Sequence, residues 1–304
     1  MLIDKTITMK TTNYCINNTQ KIIFAYGFNV CVLFTVVLCF SAMIYTDTVK
    51  NDNYSVITSL MNFDRRFMLN DTSFCAQSVV LRGADGWLPM FIPIISAFAF
   101  IPLICDEHEA KSVRFEIFRT SRLSFHTSRF VTSLLCGGLA VVIGYLIFAG
   151  LVFLMFPHLE SYTAQQREIF FESMRFAYPE MSRGIAVPLL KTLGSVFMYG
   201  VFWAMPAMLL TAVVRNKYIV MCVPFFLKYA LGQLCQKLQA QAVSDIKHTD
   251  MKLLELTGVI HPDSLAHLPQ CAQKCSVLVF SGVLVVSAFA LYLFLQMRRL
   301  DNGE

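Results

Sequence analysis

The sequence predicts an all-α integral membrane protein, built as a single domain of six transmembrane helices over residues 1–304. The first observation is composition, because 56% of the residues are hydrophobic and only 15% are charged, whereas soluble domains carry about 25% charged residues. The second is distribution, since the apolar residues fall in blocks near the ~20 residues that cross a hydrocarbon core as a helix. The third is the charge between the blocks, which favours cytoplasmic termini.

Six apolar blocks are long enough to span a membrane at 1.5 Å of rise per residue. The predicted spans are 21–45, 87–105, 130–156, 187–214, 218–234 and 276–297. The fifth block is the least regular, because Pro224 and Lys228 interrupt it. Tyr45 and Trp87 lie at span ends, as expected for an interfacial aromatic belt.

The distribution of positive charge predicts the orientation of the chain. Lys and Arg are about twice as dense on the side that holds the termini, residues 106–129 and the turn 215–217 as on the opposite side. The positive-inside rule makes the denser side cytoplasmic. The segments 46–86, 157–186 and 235–275 are then extracytoplasmic, and we expect a multi-pass protein of the cell membrane that contacts lipid.

Residues 106–124 form the most charged connecting segment and contain no Gly or Pro. Acidic residues crowd its start and basic residues its end, as the helix dipole favours, and apolar residues such as Val113 lie among them. The pattern predicts an interfacial helix on the membrane surface between spans 2 and 3. On physical grounds alone, a helix that only binds lipid headgroups and a docking element for a cytosolic partner are equally supported.

The end of span 2 and the segment after it read IPLICDEHEAKSVRFEIFRTSRLSFHTSRF. This stretch resembles the permease (transmembrane) subunits of ABC-type-2 exporters, in which an acidic residue after span 2 is followed by a basic, Ser-containing patch and then by span 3. The six-span layout and a short outer excursion between spans 5 and 6 are similar to that family as well.

The resemblance implies that 106–124 is a coupling helix, which sits in a cleft of a separate ATPase subunit. The docking residues it implies are Glu107, Glu109, Arg114, Phe115, Phe118, Arg119 and Arg122. Arg129 would extend the basic patch, and either Glu107 or Glu109 would be the acidic residue of the family pattern.

The chain contains no G-x-x-x-x-G-K-[ST] phosphate loop. An exporter of this type therefore needs a separate cytosolic ATPase, expected in two copies, and ATP and Mg²⁺ would be bound by that partner. A second permease copy or a paralogue would complete the transport path. We expect no catalytic residue, cofactor or metal in this chain and no nucleic-acid partner, and the resemblance implies a bacterial source.

Lys228 is the only strong charge deep within a predicted span. A buried ammonium in a membrane is costly and marks a substrate pathway or a partner. The alternative is that its long side chain snorkels to the outer headgroups. Pro206 and Pro224 are expected to bend their helices, either for gating or for packing, and with Lys228 they form the candidate substrate pathway.

The stretch HPDSLAHLPQCAQKC over residues 261–275 contains two His and two Cys. Its spacing differs from that of structural zinc sites, and two prolines interrupt it, so a metal site is not favoured. A disulfide among Cys75, Cys235, Cys271 and Cys275 is the more favoured alternative, because that side of the membrane is the oxidising one.

These observations together predict the membrane subunit of an ATP-driven exporter. Charge-poor spans favour a hydrophobic or amphipathic substrate such as a peptide, a lipid or a drug. The alternative is a six-span membrane scaffold with an immunity or regulatory role that transports nothing.

Overall fold

The computed structural model describes residues 15–47, 52–110, 121–175, 178–179, 181, 184–214, 216–243, 251–271 and 273–301. The first helices are α1 (Cys15–Ile23), α2 (Tyr26–Phe40), α3 (Val56–Asn62), α4 (Arg65–Met68), α5 (Ala76–Gly83), α6 (Leu88–Phe98) and α7 (Ile101–Glu109). They are followed by α8 (Arg122–Met155), α9 (Ala164–Arg175), α10 (Ala186–Thr211), α11 (Lys217–Val243), α12 (Met251–Ile260) and α13 (Lys274–Asp301).

Within these residues, five helical segments are long and apolar enough to cross a membrane. They are Leu88–Glu109, Arg122–Ser161, Ala186–Thr211, Lys217–Val243 and Lys274–Arg298. Helices α1 and α2 add a sixth if the pair counts as one span, although their axes differ by 61°. The fold class is confirmed at this level: the protein is mainly α-helical, with five or six helices of membrane-spanning length.

Proline positions explain the shape of the second span. The segment is divided into α6 and α7, with the break at Ala99 and Phe100, and Pro102 lies in the first turn of α7. Proline fits a first helical turn but supplies no N–H to the turn before it, so a helix readily breaks there. By contrast, α10 and α11 continue through Pro206 and Pro224, which are both buried.

The structure also contains a small hairpin that the all-α prediction missed. Strands β1 (Met43–Asp47) and β2 (Asp52–Ser55) pair antiparallel. The first span was expected to continue to residue 45, but α2 ends at Phe40. Tyr45 packs against Phe74 with ring centroids 5.0 Å apart, so burial of this aromatic residue holds the hairpin against the segment that follows.

The helices form one core, in which α8 packs between α2 and α10. At the crossing with α2, a Cβ on Gly144 would lie 2.5 Å from Cβ of Thr35. No larger residue fits that approach without displacing a helix. At the end of the bundle where α6 begins, the segments before α5 and after α8 pack together, and the Tyr162 hydroxyl donates to the carbonyl oxygen of Met68 at 3.0 Å.

Candidate functional site

Two clusters of buried charge lie at opposite ends of the second span. Pro89, in the first turn of α6, belongs to one cluster, and Glu107, in the last turns of α7, belongs to the other. Eighteen helical positions correspond to about 27 Å at 1.5 Å per residue. Each cluster connects groups that belong to different segments of the chain.

The predicted docking segment is described only at its two ends. Arg114, Phe115, Phe118 and Arg119 lie outside the described residues. Glu107 and Glu109 are at the C-terminal end of α7, continuous with the second span, and do not begin a separate helix. Arg122 is the first residue of α8, which Ser121 caps by accepting a hydrogen bond from the Ser124 N–H at 3.3 Å.

The physical reason for this difference lies in the residues flanking the segment. Ile101, Ile104 and Cys105 are buried, and this packing carries α7 past the predicted end of the span. At the other side, the Ser121 cap begins α8 eight residues before the predicted start of span 3 at residue 130. The acidic residues therefore lie at a helix C-terminus, where the dipole does not favour negative charge.

Glu107 and Arg129 form a buried ion pair between these two helices, here called the α7–α8 pair. The Arg129 Nη2 donates to Glu107 Oε2 at 2.6 Å and also contacts the Ile104 carbonyl oxygen at 3.4 Å. The Arg129 guanidinium lies 5.5 Å from the centre of the Phe125 ring. The resemblance places Arg129 in the basic patch, and in the structure its side chain is buried and paired with Glu107, one of the two candidate acidic residues.

Other polar contacts collect at the same end of the bundle. The Asn18 amide of α1 donates to the Ser128 hydroxyl at 3.4 Å, and Lys217 at the start of α11 lies 3.7 Å from Asp106. A cavity of about 20 Å³ borders Glu107 and Arg129. That volume is enough for about one water molecule.

The second cluster, here called the Lys228 network, consists of Lys228, Asp263, Tyr199 and the Pro89 carbonyl. The Lys228 ammonium donates to Asp263 Oδ1 at 2.8 Å and to the Pro89 carbonyl oxygen at 2.6 Å. The Tyr199 hydroxyl donates to the same Asp263 oxygen at 2.6 Å and lies 3.2 Å from the Pro89 carbonyl oxygen. Four separate segments of the chain therefore meet around one ammonium group.

Pro93 explains why the Pro89 carbonyl is available to a side chain. In an uninterrupted helix this carbonyl would accept from the N–H four residues later, but that residue is Pro93, which has none. A buried carbonyl without a partner is costly. The Lys228 ammonium supplies the missing donor at 2.6 Å, so the network compensates for the helix defect.

Asp263 is negatively charged in this setting. Burial alone raises the pKa of its carboxyl, but the positive charge of Lys228 and the hydrogen bonds from Lys228 and Tyr199 outweigh burial and hold the pKa below its usual value. The Lys228 side chain is 9% exposed and the Asp263 side chain 30%. The ammonium points into the bundle, which excludes snorkelling of Lys228 toward lipid headgroups in this structure.

The turn that carries Asp263, residues 261–271, has further anchors on the bundle. The Ser195 hydroxyl of α10 lies 2.5 Å from the carbonyl oxygen of Leu265 and 2.7 Å from that of Ala266. His267 pairs with Asp85 at 3.2 Å. The turn is therefore fixed from α10, from α11 and from the residues just before α6.

The candidate metal and disulfide residues are placed individually. The Nδ1 of His261 accepts from the Asp263 N–H at 3.2 Å, while His267 pairs with Asp85. All ten cysteines lie in the described parts of the chain, and each is a free thiol. Cys75, Cys235, Cys271 and Cys275 thus form no disulfide in the structure.

Sequence reasoning found Lys228 but missed its partners Asp263, Tyr199 and Pro89. One signal was available, since prolines at positions 89 and 93 predict a carbonyl without a helical donor. Comparison of the chain with known protein families, curated proteins and solved structures finds no match. The two clusters are therefore interpreted from their own geometry.

Proposed function

We propose that this chain is the membrane subunit of an ATP-driven exporter of the ABC-2 type, which works with a separately encoded cytosolic ATPase. The observation that carries the proposal is the α7–α8 pair. It joins the two helices that flank the charged segment 110–121 through a charge-assisted hydrogen bond of 2.6 Å. A partner that moves this segment would displace both helices together.

The surroundings of the pair support a docking role for this end of the bundle. Glu109 and Arg122 are exposed on either side of the segment, where a partner can reach them. Glu107 is the less suitable acidic docking residue, because Arg129 already engages it. Of the two acidic candidates, Glu109 is therefore the one we propose for contact with the ATPase, together with Arg122 and the residues 111–120.

In this proposal the docking end faces the cytoplasm, as the excess of Lys and Arg favours. Two copies of the chain, or this chain and a paralogue, form the path in a bacterial cell membrane. Two ATPase subunits bind ATP and Mg²⁺ and drive the outward movement of a hydrophobic or amphipathic substrate. Lys228 of the outer network, with Pro206 and Pro224, lies along the proposed path.

The test is co-purification from membranes of the source organism. The tagged full-length chain, extracted in mild detergent, is expected to retain a protein that carries a phosphate-loop ATPase domain, at about one copy per chain. Charge reversal at the docking end, with Glu109→Lys and Arg122→Glu combined, should lower that retention at least tenfold. Lys237→Glu is the matched control, because Lys237 is exposed near the far end of α11, about 30 Å along the helix from Lys217.

Two results would contradict the proposal in different ways. If the folded chain retains no ATPase, the exporter assignment fails and a non-transporting membrane scaffold becomes the better explanation. If the ATPase is retained at wild-type levels by the charge-reversed variant, the exporter assignment stands and the docking residues are wrong.

A further inference from the structure

A cavity of about 200 Å³ lies beside the Lys228 network, between α10, α11, α12 and α13. Its lining includes Trp203, Leu231, Val259, His261, Val277 and Ser281. Trp203 is one turn from Tyr199 on α10, and His261 is two residues from Asp263. The cavity therefore adjoins the network without including its ion pair.

The walls of the cavity are mainly apolar, and its size limits what can bind. An apolar cavity of about 150 Å³ stays free of water and takes up benzene, which has six heavy atoms. By proportion, about 200 Å³ holds roughly eight heavy atoms of an apolar molecule. A short stretch of hydrocarbon chain matches that volume better than a folded peptide does.

Two residues of the lining, Trp203 and His261, carry ring nitrogens that can donate a hydrogen bond. Trp203 is 1% exposed, and its Nε1 lies near the Tyr199 oxygen without a hydrogen bond of normal geometry to any described residue. A buried N–H without an acceptor is costly, so an oxygen atom carried into the cavity would be favoured.

His261 supplies the second donor. Its Nδ1 accepts a hydrogen bond from the Asp263 N–H, so the neutral ring carries its proton on Nε2. Burial lowers the pKa of this imidazole, which favours the neutral form. Both groups donate, so the matching ligand atom is an acceptor such as a carbonyl oxygen.

The surface around the cavity indicates how a ligand reaches it. Ile260 of the lining is 37% exposed, so this wall of the cavity is also part of the surface of the bundle. Along α13, Val279 and Val283 are more than 60% exposed, and such apolar residues on a membrane-length helix face lipid tails. A molecule that already lies in the hydrocarbon layer would enter sideways.

We propose that this cavity binds one acyl chain that ends in an ester or amide carbonyl, with the carbonyl oxygen accepting from the Trp203 indole N–H. A membrane lipid and an acylated substrate share this chemistry. The proposal does not require the exporter function, because binding is a property of the chain alone and can be measured without an ATPase.

Tryptophan fluorescence provides the test, because the chain has only two tryptophans, Trp87 and Trp203. Trp87→Phe leaves Trp203 as the only emitter, and Trp87 is 48% exposed, so this change should be tolerated. The probes are methyl 4-bromobutanoate, which has a carbonyl, a quenching bromine and about eight heavy atoms, and 1-bromohexane, which has no carbonyl. We expect saturable quenching by both, with the ester binding about fivefold more tightly for one added hydrogen bond.

A matched pair of variants distinguishes the cavity from the lipid-facing surface. Val277 lines the cavity and is 1% exposed, whereas Val283 is 61% exposed on the same helix. Val277→Phe should fill the cavity and weaken ester binding at least tenfold, and Val283→Phe should leave it unchanged. If Val277→Phe does not fold, Ser281→Phe fills the same cavity from another position.

The source of the acyl chain is identified by competition. Dihexanoyl phosphatidylcholine and an N-hexanoyl peptide are each added against the bromoester, and displacement by the first indicates a lipid, by the second an acylated substrate. Displacement by neither would overturn the proposal. Quenching that does not saturate and is equal in both valine variants would overturn it as well, because that result means only partition into detergent.

Discussion

The two buried ion pairs of this protein differ in what they connect. The α7–α8 pair, Glu107 with Arg129, joins two consecutive helices, and Arg129 also contacts the Ile104 carbonyl oxygen and the Phe125 ring of the same two helices. The Lys228 network draws on α6, α10, α11 and the turn after α12. The first connects the helices on either side of the segment 110–121, whereas the second joins a distant turn of the chain to the bundle.

The two clusters also differ in the kind of cavity that borders them. A cavity large enough for about one water borders the α7–α8 pair, so water could replace a lost partner there. The Lys228 side chain is 9% exposed and the Arg129 side chain 8%, so the two cations are equally buried, but the cavity beside the Lys228 network is mainly apolar. Removing one partner from a buried pair is costly because it leaves an uncompensated charge. We therefore expect the Lys228 network to be the more sensitive of the two.

The largest expected effect is that of Asp263→Asn, which leaves the Lys228 ammonium buried beside a neutral amide. We expect a loss of about 3–5 kcal/mol in the free energy of unfolding, measured by unfolding in mixed micelles of dodecyl maltoside and SDS. Lys228→Met combined with Asp263→Asn should recover most of this loss, because no buried charge remains. Asp52→Asn, at an exposed position, is the control.

A double variant that is as unstable as the sum of the two single variants would show that the ion pair is not the source of the effect. In that case the tie between the turn and α11 would depend on packing, and the contrast between the two clusters would disappear.

The sequence indicated one charged residue of each cluster, but it did not indicate the residue with which it pairs. Lys228 is conspicuous in an apolar span, but Asp263 is one of several acidic residues in a long connecting segment. Nothing local indicates which of them folds back. Arg129 comes directly after a basic stretch, which suggested an exposed patch, and only the burial of α7 against α8 reveals its pairing with Glu107.

The fold was predictable for a related reason. Membrane-length apolar blocks report helices directly, so the helical framework could be expected from composition and spacing. The hairpin of β1 and β2 could not, because the apolar run before residue 45 continues into β1 without a turn signal. Its strand conformation depends on aromatic packing with Phe63 and Phe74, which are distant in sequence.

The second prediction concerns the α7–α8 pair. Glu107→Gln should lower the free energy of unfolding by about 1–3 kcal/mol, as expected for a weakened hydrogen bond to a charged group. The loss should be smaller than for Asp263→Asn, because Arg129 still contacts the Ile104 carbonyl oxygen and borders the small cavity. The effect on the neighbouring segment should be larger than the effect on global stability. We expect faster trypsin cleavage at Lys111 and Arg114 in Glu107→Gln, measured by mass spectrometry of the fragments.

Asp263→Asn is the matched comparison for that cleavage, because it breaks the other ion pair. It should leave the cleavage rate at these two positions unchanged under conditions where the protein stays folded. Equal acceleration in both variants would mean that the two ends of the bundle respond as one unit, which contradicts a local role for the α7–α8 pair.

A third, smaller effect should appear in the dependence of stability on pH. The hydrogen bond with Asp85 raises the pKa of His267 above its usual value, against the opposing effect of burial. The stabilisation that the folded protein gains from protonated His267 is therefore fully present below the unfolded pKa of about 6.5. It is lost as the pH rises through the higher pKa of the folded state. Stability should fall as the pH increases above about 6.5, and His267→Gln should remove that part of the dependence.

Both groups of this pair are more than one third exposed, so solvent screening keeps the effect small. His261 acts in the opposite direction, since burial lowers the pKa of its imidazole, and the difference between wild type and His267→Gln isolates the His267 contribution. If the stability of His267→Gln depends on pH as strongly as that of the wild type, another group is responsible for the dependence.

The smallest effect should be a change in thiol reactivity that reports on the turn 261–271. Cys271 ends this turn and is half-buried, Cys275 is exposed, and Cys75 is fully buried, with burial raising the pKa of its thiol to about 11. Maleimide labelling, followed by peptide mass spectrometry, should find Cys275 fast and Cys75 slow in every variant. Asp263→Asn should accelerate Cys271 several-fold by loosening the turn, and Glu107→Gln should not. Acceleration of Cys75 along with Cys271 would indicate unfolding of the whole end of the bundle that holds the Lys228 network. The network would then be a general stabiliser and not an anchor for one turn.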